Sequence, residues 1–206
     1  LTLPKEISYV GYAMLGSCEN FRCMEVKAPL PNTGFLGAGA DCEFCFLDTD
    51  GRIQWKALYA DDLALFSGSG ARDQFCGLFC GQNAQAEAFE RYDCTFDLIQ
   101  QKAVKLRMAM LRIAVPIALS ASAAQSYQAY LRTNSGPALE QCIAARDIQM
   151  LKCFCARKIP QREAVEATLR ETLSKHMVEF TAVLTAYRNT FREQSVFEKM
   201  MELSLP

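Results

Sequence analysis

The stretch CEFCFLDTDGRIQWKAL, residues 42–58, decides the fold of the first third of the chain. Two runs rich in apolar and aromatic side chains, Cys42–Asp48 and Arg52–Leu58, flank the sequence Thr49-Asp50-Gly51. An Asp-Gly pair tolerates the positive φ angles of a tight turn, and runs of this kind pair readily as strands. The pattern therefore predicts a β-hairpin.

Further strand-like runs surround this hairpin. Ile7–Leu15 and Phe21–Ala28 precede it, and Leu63–Phe66 follows a second turn at Ala60–Asp62. Consecutive strands are usually neighbours in a sheet when turn residues separate them. Residues 1–70 are therefore predicted to form a small antiparallel β-meander.

After residue 70 the spacing of apolar residues becomes helical. Residues 96–115 carry apolar side chains on two faces, which predicts a helix between two layers. An αα-hairpin follows, with helices over residues 138–155 and 161–192. The predicted fold is α+β, with the meander of residues 1–70 packed on a mostly helical region, residues 71–206, in one compact unit. No internal repeat is evident in the sequence.

The long, amphipathic last helix is the candidate interaction surface, because its length favours docking against a partner as well as against the core. Its apolar stripe recurs every three or four residues, which places the members on one face. These residues are Val165, Leu169, Leu173, Met177, Phe180, Leu184, Tyr187 and Phe191. The chain's single histidine, His176, falls within the arc of this stripe and is expected at the margin of a core or interface.

Charge and composition exclude several classes of function. Lys and Arg number 22 against 23 Asp and Glu, so the net charge is −1. A dedicated nucleic-acid-binding domain usually has a basic excess, and we expect no nucleic acid as partner. With one histidine, the chain lacks the residues for His-rich metal sites and Ser-His relays, and we expect no cofactor.

Ten cysteines leave two interpretations open. Their even number is compatible with disulfides in an oxidising compartment, whereas buried free thiols pack like small apolar side chains. The spacing of Cys18, Cys23, Cys42 and Cys45 is within the range of a four-thiolate zinc site. However, residues 42–45 are expected to be extended, which would direct the thiols of Cys42 and Cys45 to opposite faces. These four residues are therefore weak metal candidates.

Residues 59–66, YADDLALF, resemble the YADD box of reverse transcriptases, in which paired aspartates bind catalytic magnesium. Polymerase chemistry also needs a third carboxylate from an earlier strand and a basic template channel. Residues 1–70 are net acidic and supply no such channel, so an acidic turn is favoured. If the chain were an enzyme of another kind, its only clustered acids would be Asp48, Asp50, Asp61 and Asp62.

Residues 108–131 carry Arg112 as their only charge and are long enough to span a membrane, which needs about 20 residues. Arg112, Pro116 and several polar side chains instead favour a buried helix of a soluble protein. We expect membrane association only through a larger complex. The basic residues around Arg112 are expected to pair with the acidic N-terminal sheet.

The sequence favours a non-enzymatic accessory or structural subunit that docks into a larger assembly through helical surfaces. Its partners would be other protein subunits. The alternative is a secreted, disulfide-stabilised binding or effector-like protein, and a weaker alternative is an enzyme that uses the clustered aspartates. The chain begins at Leu1, which indicates either a fragment or a removed presequence; an organelle is favoured over secretion.

Overall fold

In the computed structural model of the protein, the residues that the structure describes are 2–3, 23–27, 42–48, 50–60, 78 and 82–203. Strands lie in the N-terminal part and helices follow, so the α+β class is confirmed. Three predictions lie outside the described residues: the strands Ile7–Leu15 and Leu63–Phe66, the thiol of Cys18, and the acidic pair Asp61 and Asp62.

The described sheet has the order β1-β2-β3-β4. The predicted hairpin is confirmed, because β3 and β4 pair antiparallel with Phe44 opposite Ala57. The Asp48 side chain accepts hydrogen bonds from the backbone N–H groups of Asp50 at 2.9 Å and Arg52 at 2.8 Å. Gly51 has a φ of 80°, which an L side chain rarely adopts. The strands are β1 (Thr2–Leu3), β2 (Cys23–Val26), β3 (Cys42–Leu47) and β4 (Ile53–Tyr59).

The antiparallel meander is wrong for the other half of this sheet. Strands β1 and β2 pair in parallel, and so do β2 and β3, with Met24 opposite Phe44. Parallel neighbours need a connection that returns to the starting edge, whereas antiparallel neighbours need only a turn. The pattern of apolar residues in a strand does not encode which of the two connections is used.

Helices account for most of the remaining described residues. In chain order they are α1 (Gln82–Cys94), a 3-10 turn (Phe96–Leu98), α2 (Lys102–Ala114), α3 (Ala121–Thr133), α4 (Ser135–Ala144), α5 (Ile148–Ala156), α6 (Arg162–Ser174) and α7 (Val178–Leu203). None of these helices is long and apolar enough to cross a membrane.

The chain divides into two compact units after Tyr127, so the sheet shares a unit with the first helices. The first unit is Leu1–Tyr127 and the second unit is Gln128–Pro206. Helix α1 belongs with the sheet because the Phe89 ring packs edge-on against Trp55, with centroids 5.8 Å apart. The hydroxyl of Tyr92 also donates to the carbonyl of Leu58 and accepts from its N–H, both at 2.9 Å. The sheet therefore completes its core with the helices that follow it.

The predicted αα-hairpin of two long helices is wrong, because each helix is interrupted once. Residues 138–155 contain the end of α4 and nearly all of α5, and residues 161–192 contain α6 and much of α7. Arg146 and His176 stand in the gaps with φ values of 52° and 53°. A left-handed residue ends a helix, and the usual sequence signal for it is glycine, which is absent here. The last helix is nevertheless long, at 26 residues.

Candidate interaction surface

The turn between α6 and α7 is a helix-ending motif closed by two backbone hydrogen bonds. The N–H of Met177 donates to the carbonyl of Thr172 at 2.9 Å, and the N–H of His176 donates to that of Leu173 at 3.2 Å. This pair of bonds satisfies carbonyl groups at the end of α6 and reverses the chain. His176 is exposed, so it does not pack at the margin of the core, and its place at the margin of an interface stays a prediction. His176 falls within the arc of the stripe only if one continuous helix is assumed, and α6 ends at Ser174.

The predicted apolar stripe is mostly the interior of the second unit. Leu173 is 59% exposed. Met177 and Phe191 are half-buried, and Tyr187 donates its hydroxyl to the carbonyl of Pro160 at 3.1 Å. Five members of the stripe are buried: Val165, Leu169, Phe180, Leu184 and Tyr187. A partner can therefore reach only a small part of the predicted surface.

Two large apolar side chains beside the turn are exposed. Leu173 is near the end of α6, and Val178, the first residue of α7, is 77% exposed. Sequence reasoning missed Val178 because the stripe was drawn along one continuous helix, which places this residue outside it. The signal that would have found it is the change of helix at His176. We refer to Leu173 and Val178 as the apolar pair.

A buried polar network in the first unit is the second candidate. Asp93 of α1 receives two hydrogen bonds from the guanidinium of Arg112, from Nε at 2.7 Å and from Nη2 at 2.8 Å. The hydroxyl of Tyr127 donates to the same carboxylate at 2.7 Å. Arg112 is fully buried and Asp93 is 9% exposed. The expectation that Arg112 pairs with the N-terminal sheet is wrong, because its carboxylate comes from α1.

The network holds helices together and has no group free for proton transfer. Arg112 Nη2 also donates to the carbonyl of Ile117 at 3.0 Å, and the guanidinium carbon lies 4.3 Å from the centre of the Phe89 ring. Burial, followed by the nearby Asp93 carboxylate, raises the pKa of Tyr127 well above its usual range. The phenol therefore stays protonated. Asp93 accepts three hydrogen bonds, whereas the buried Nη1 of Arg112 has no partner among the described residues.

An open cleft of about 600 Å³ lies beside Asp93 in the first unit. Its wall carries three more carboxylates, those of Glu87, Glu90 and Asp97. Glu87 is 3.6 Å from an Arg91 nitrogen, and Asp97 forms a longer pair with Lys105 at 3.9 Å. The cleft is acidic, but most of its carboxylates already have cationic neighbours.

Three of the four weak metal candidates, Cys23, Cys42 and Cys45, lie among the described residues. Cys42 and Cys45 are three residues apart on strand β3, so their side chains leave opposite faces, as the sequence suggested. Burial raises the pKa of Cys42 to about 12 and that of Cys45 to about 11, which keeps both thiols protonated. Cys23 is exposed. No group of three or more side chains that could hold a metal occurs among the described residues, and the seven cysteines described there form no disulfide.

The acidic residues of the β3–β4 turn have a structural role. Hydrogen bonds from the Arg52 backbone N–H above all, and also from Asp50, lower the pKa of Asp48 below its ordinary value. Gln54 donates to the other Asp48 oxygen at 3.0 Å. The Asp48 side chain thus stabilises the turn.

Comparison with known proteins gives no match: no family model, no curated protein and no solved structure is similar to this chain. Function is therefore argued from the geometry of the described residues. Among the candidates, the network around Asp93 is buried and Asp48 is hydrogen-bonded within its turn, whereas the apolar pair is exposed and takes no part in the interior of the second unit.

Proposed function

We propose that the protein is a non-enzymatic accessory or structural subunit that docks into a larger protein assembly through its second unit. The observation that carries this proposal is the exposure of Leu173 and Val178, at 59% and 77%. Neighbouring apolar residues of α6 and α7 are buried in the unit. Burying a side chain of this size on association contributes roughly 1.5–3 kcal/mol, so the pair would supply a useful part of a protein interface.

The chemistry around the apolar pair fits a protein partner. Two ion pairs lie along α6 and at its end: Arg162 Nε is 3.2 Å from Glu166, and Lys175 Nζ is 2.6 Å from Glu171. An apolar centre with a rim of paired charges is the usual arrangement of a protein–protein interface. The near-zero net charge of the chain also disfavours nucleic acid as the partner.

A native mass spectrum of the full chain, purified from its source without reductant, tests the proposal. The double variant Leu173→Glu/Val178→Glu adds two charges where the partner is expected. The matched control, Ala144→Glu/Gln149→Glu, adds the same charges at exposed positions beside the turn between α4 and α5. Circular dichroism establishes that both variants keep the helix content of the wild-type chain.

We expect the wild-type chain and the control in a complex much larger than the chain, and the Leu173→Glu/Val178→Glu variant alone. A wild-type chain found alone, with a mass lowered by disulfide formation, would instead support the secreted, disulfide-stabilised protein. A complex that survives in the double variant would remove the apolar pair from the interface.

A further inference from the structure

The turns of the two helical hairpins in the second unit are the same structure used twice. Arg146 stands thirty residues before His176, and its φ of 52° is nearly that of His176, 53°. The N–H of Asp147 donates to the carbonyl of Cys142 at 2.9 Å, and the N–H of Arg146 donates to that of Ile143 at 3.0 Å. These are the two bonds that close the turn at His176, shifted by thirty positions. The same pair of bonds also ends α5 at Lys158, where φ is 54°, so the repeat depends on the buried positions as well as on the turn.

The buried positions repeat with the same period. Six of the eight buried residues of the first hairpin, α4–α5, have a buried counterpart thirty residues later in the second hairpin, α6–α7. These pairs are Ser135/Val165, Ala138/Thr168, Leu139/Leu169, Cys142/Thr172, Met150/Phe180 and Phe154/Leu184. Most pairs differ in chemical type, which hid the repeat in the sequence.

The packing of the helices follows the repeat. Helix α4 contacts α5 within its hairpin and α6 of the next, and α7 likewise contacts α6 and α5. The first helices of the two hairpins, α4 and α6, therefore lie side by side, and so do the second helices, α5 and α7. This is the arrangement of a stacked array, in which each hairpin contacts its neighbours in the stack.

The exceptions to the repeat all lie on one side of the hairpins. When residues 135–156 are compared with residues 165–186 position by position, the degree of burial differs at four positions. At each of them the residue of the second hairpin is the more exposed. The four pairs are Gly136/Glu166, Ile143/Leu173, Ile148/Val178 and Leu151/Thr181. Glu166 and Leu173 are seven residues apart and so share a face of α6. We name the surface formed by Glu166, Leu173, Val178 and Thr181 the open flank.

The first hairpin shows what covers this kind of surface. Its equivalent flank includes Ile143, which is 5% exposed, and Leu151, which is fully buried. The first hairpin is followed by another in the stack, and the second is not followed by one among the described residues. The surface that α6–α7 presents at the open flank therefore continues the interface between the two hairpins.

We propose that the open flank receives an α-helical hairpin of a partner protein, which stacks as the third hairpin of the array. This inference rests on the proposed function and names the kind of partner that the apolar pair takes. The first helix of the partner hairpin would lie beside α6 and cover Leu173. Its second helix would lie beside α7 and cover Val178.

The chemistry of the open flank sets what the partner hairpin must present. Leu173 and Val178 are apolar and 59% and 77% exposed. The hairpin is therefore expected to place apolar side chains opposite the apolar pair.

Photo-crosslinking of the full chain within its assembly tests the identity of the occupant. A photo-reactive leucine analogue replaces Leu173 in one chain and Val178 in another, and mass spectrometry identifies the linked peptides. We expect the two positions to link to two helices of one partner that are consecutive in its sequence and joined by a short turn. The control analogue replaces Gln149, which is exposed on the first hairpin, and is expected to give at least tenfold fewer links of this kind.

Other patterns of crosslinks overturn the inference. Links from both positions to one extended segment, or to a single helix, would show that the occupant is not a hairpin. Links to a second copy of this chain would show self-association in its place. If no assembly forms at all, the proposed function fails at the mass spectrum, before crosslinking; if the assembly forms with another occupant, only the inference about the hairpin fails.

A tandem duplication tests the array without any partner. One period, residues 157–186, is inserted after Ala186, so that the first copy of the second helix has nine residues, as α5 has. We expect the inserted hairpin to stack on the flank before it, with backbone amide exchange at least tenfold slower than in an unfolded segment. Leu173→Glu/Val178→Glu in the first copy is expected to abolish this protection. Equal, fast exchange of the insert in both chains would show that the flank does not accept a hairpin.

Discussion

The two units differ in how their stabilising interactions are distributed. In the first unit, one buried carboxylate, that of Asp93, binds Arg112 of α2 and Tyr127 of α3. In the second unit, the same hairpin turn and six of eight buried positions occur twice, thirty residues apart. A unit stabilised at one place is sensitive to single substitutions there. In a repeated structure, equivalent residues of each repeat contribute to the stability of the unit.

The difference also separates interior from interface. The polar network of the first unit is buried, so it cannot lose a partner without loss of stability. The second unit ends its repeat with an incomplete surface, where Leu173 and Val178 are exposed. The interaction site that we propose therefore lies where a regular structure stops.

The largest expected effect is that of removing the central carboxylate of the first unit. Asp93→Ala leaves the fully buried guanidinium of Arg112 without a counter-charge, and we expect the free energy of unfolding to fall by about 3–5 kcal/mol. Urea unfolding followed by circular dichroism measures the loss. The double variant Asp93→Ala/Arg112→Met is expected to recover part of it, because the unpaired charge is gone.

The matched control is an ion pair of the second unit. Lys175→Ala removes the exposed pair with Glu171, which we expect to cost about 0–1 kcal/mol. If Asp93→Ala costs no more than Lys175→Ala, the first unit does not depend on its buried network, and the contrast between the units is lost.

A smaller effect is expected from alkaline pH in the second unit. Burial raises the pKa of Cys142 to about 12, from an ordinary value of 9.0. The folded state thus favours the protonated thiol. The contribution of Cys142 to the free energy of unfolding is complete below pH 9 and is lost as the pH rises from about 9 towards 12. We expect the free energy of unfolding to fall over this range, and to fall less steeply in Cys142→Ala.

The control for this measurement is Cys94, whose side chain is exposed. Cys94→Ala is expected to leave the slope of unfolding free energy against pH as it is in the wild-type chain. The same slope in Cys142→Ala and in the wild-type chain would mean that the buried thiol has no part in the alkaline loss.

The sequence predicted those features that depend on neighbouring residues. The hairpin around Gly51 needs only a short apolar run on each side and a residue that tolerates positive φ, and both can be read directly. The parallel pairing of β2 with β3 depends on the connection between them, which the strands themselves do not encode. The helices of the second unit were predicted as helices, but their ends at Arg146 and His176 carry no glycine.

The candidate interaction site was predicted only in part for the same reason. Leu173 was named as an apolar residue of the last helix, yet its exposure depends on which side of α6 lacks a neighbour. Val178 was missed because its face changes when the helix ends at His176. Ion-pair partners distant in sequence, such as Asp93 for Arg112, follow from the tertiary packing of α1 on α2.

The smallest effect concerns the repeated turn and tests whether its two copies are equivalent. An L residue with a φ near 50° is strained by roughly 1–2 kcal/mol, and glycine removes this strain at the cost of greater freedom in the unfolded chain. We therefore expect Arg146→Gly and His176→Gly each to raise the free energy of unfolding by about 0.5 kcal/mol, measured by thermal unfolding. Ala145→Gly, at a φ of −78°, is expected to lower it by roughly 0.5–1 kcal/mol. If one turn gains stability and the other loses it, the two hairpins are not copies of one structure, and the argument for a third hairpin at the open flank weakens with them.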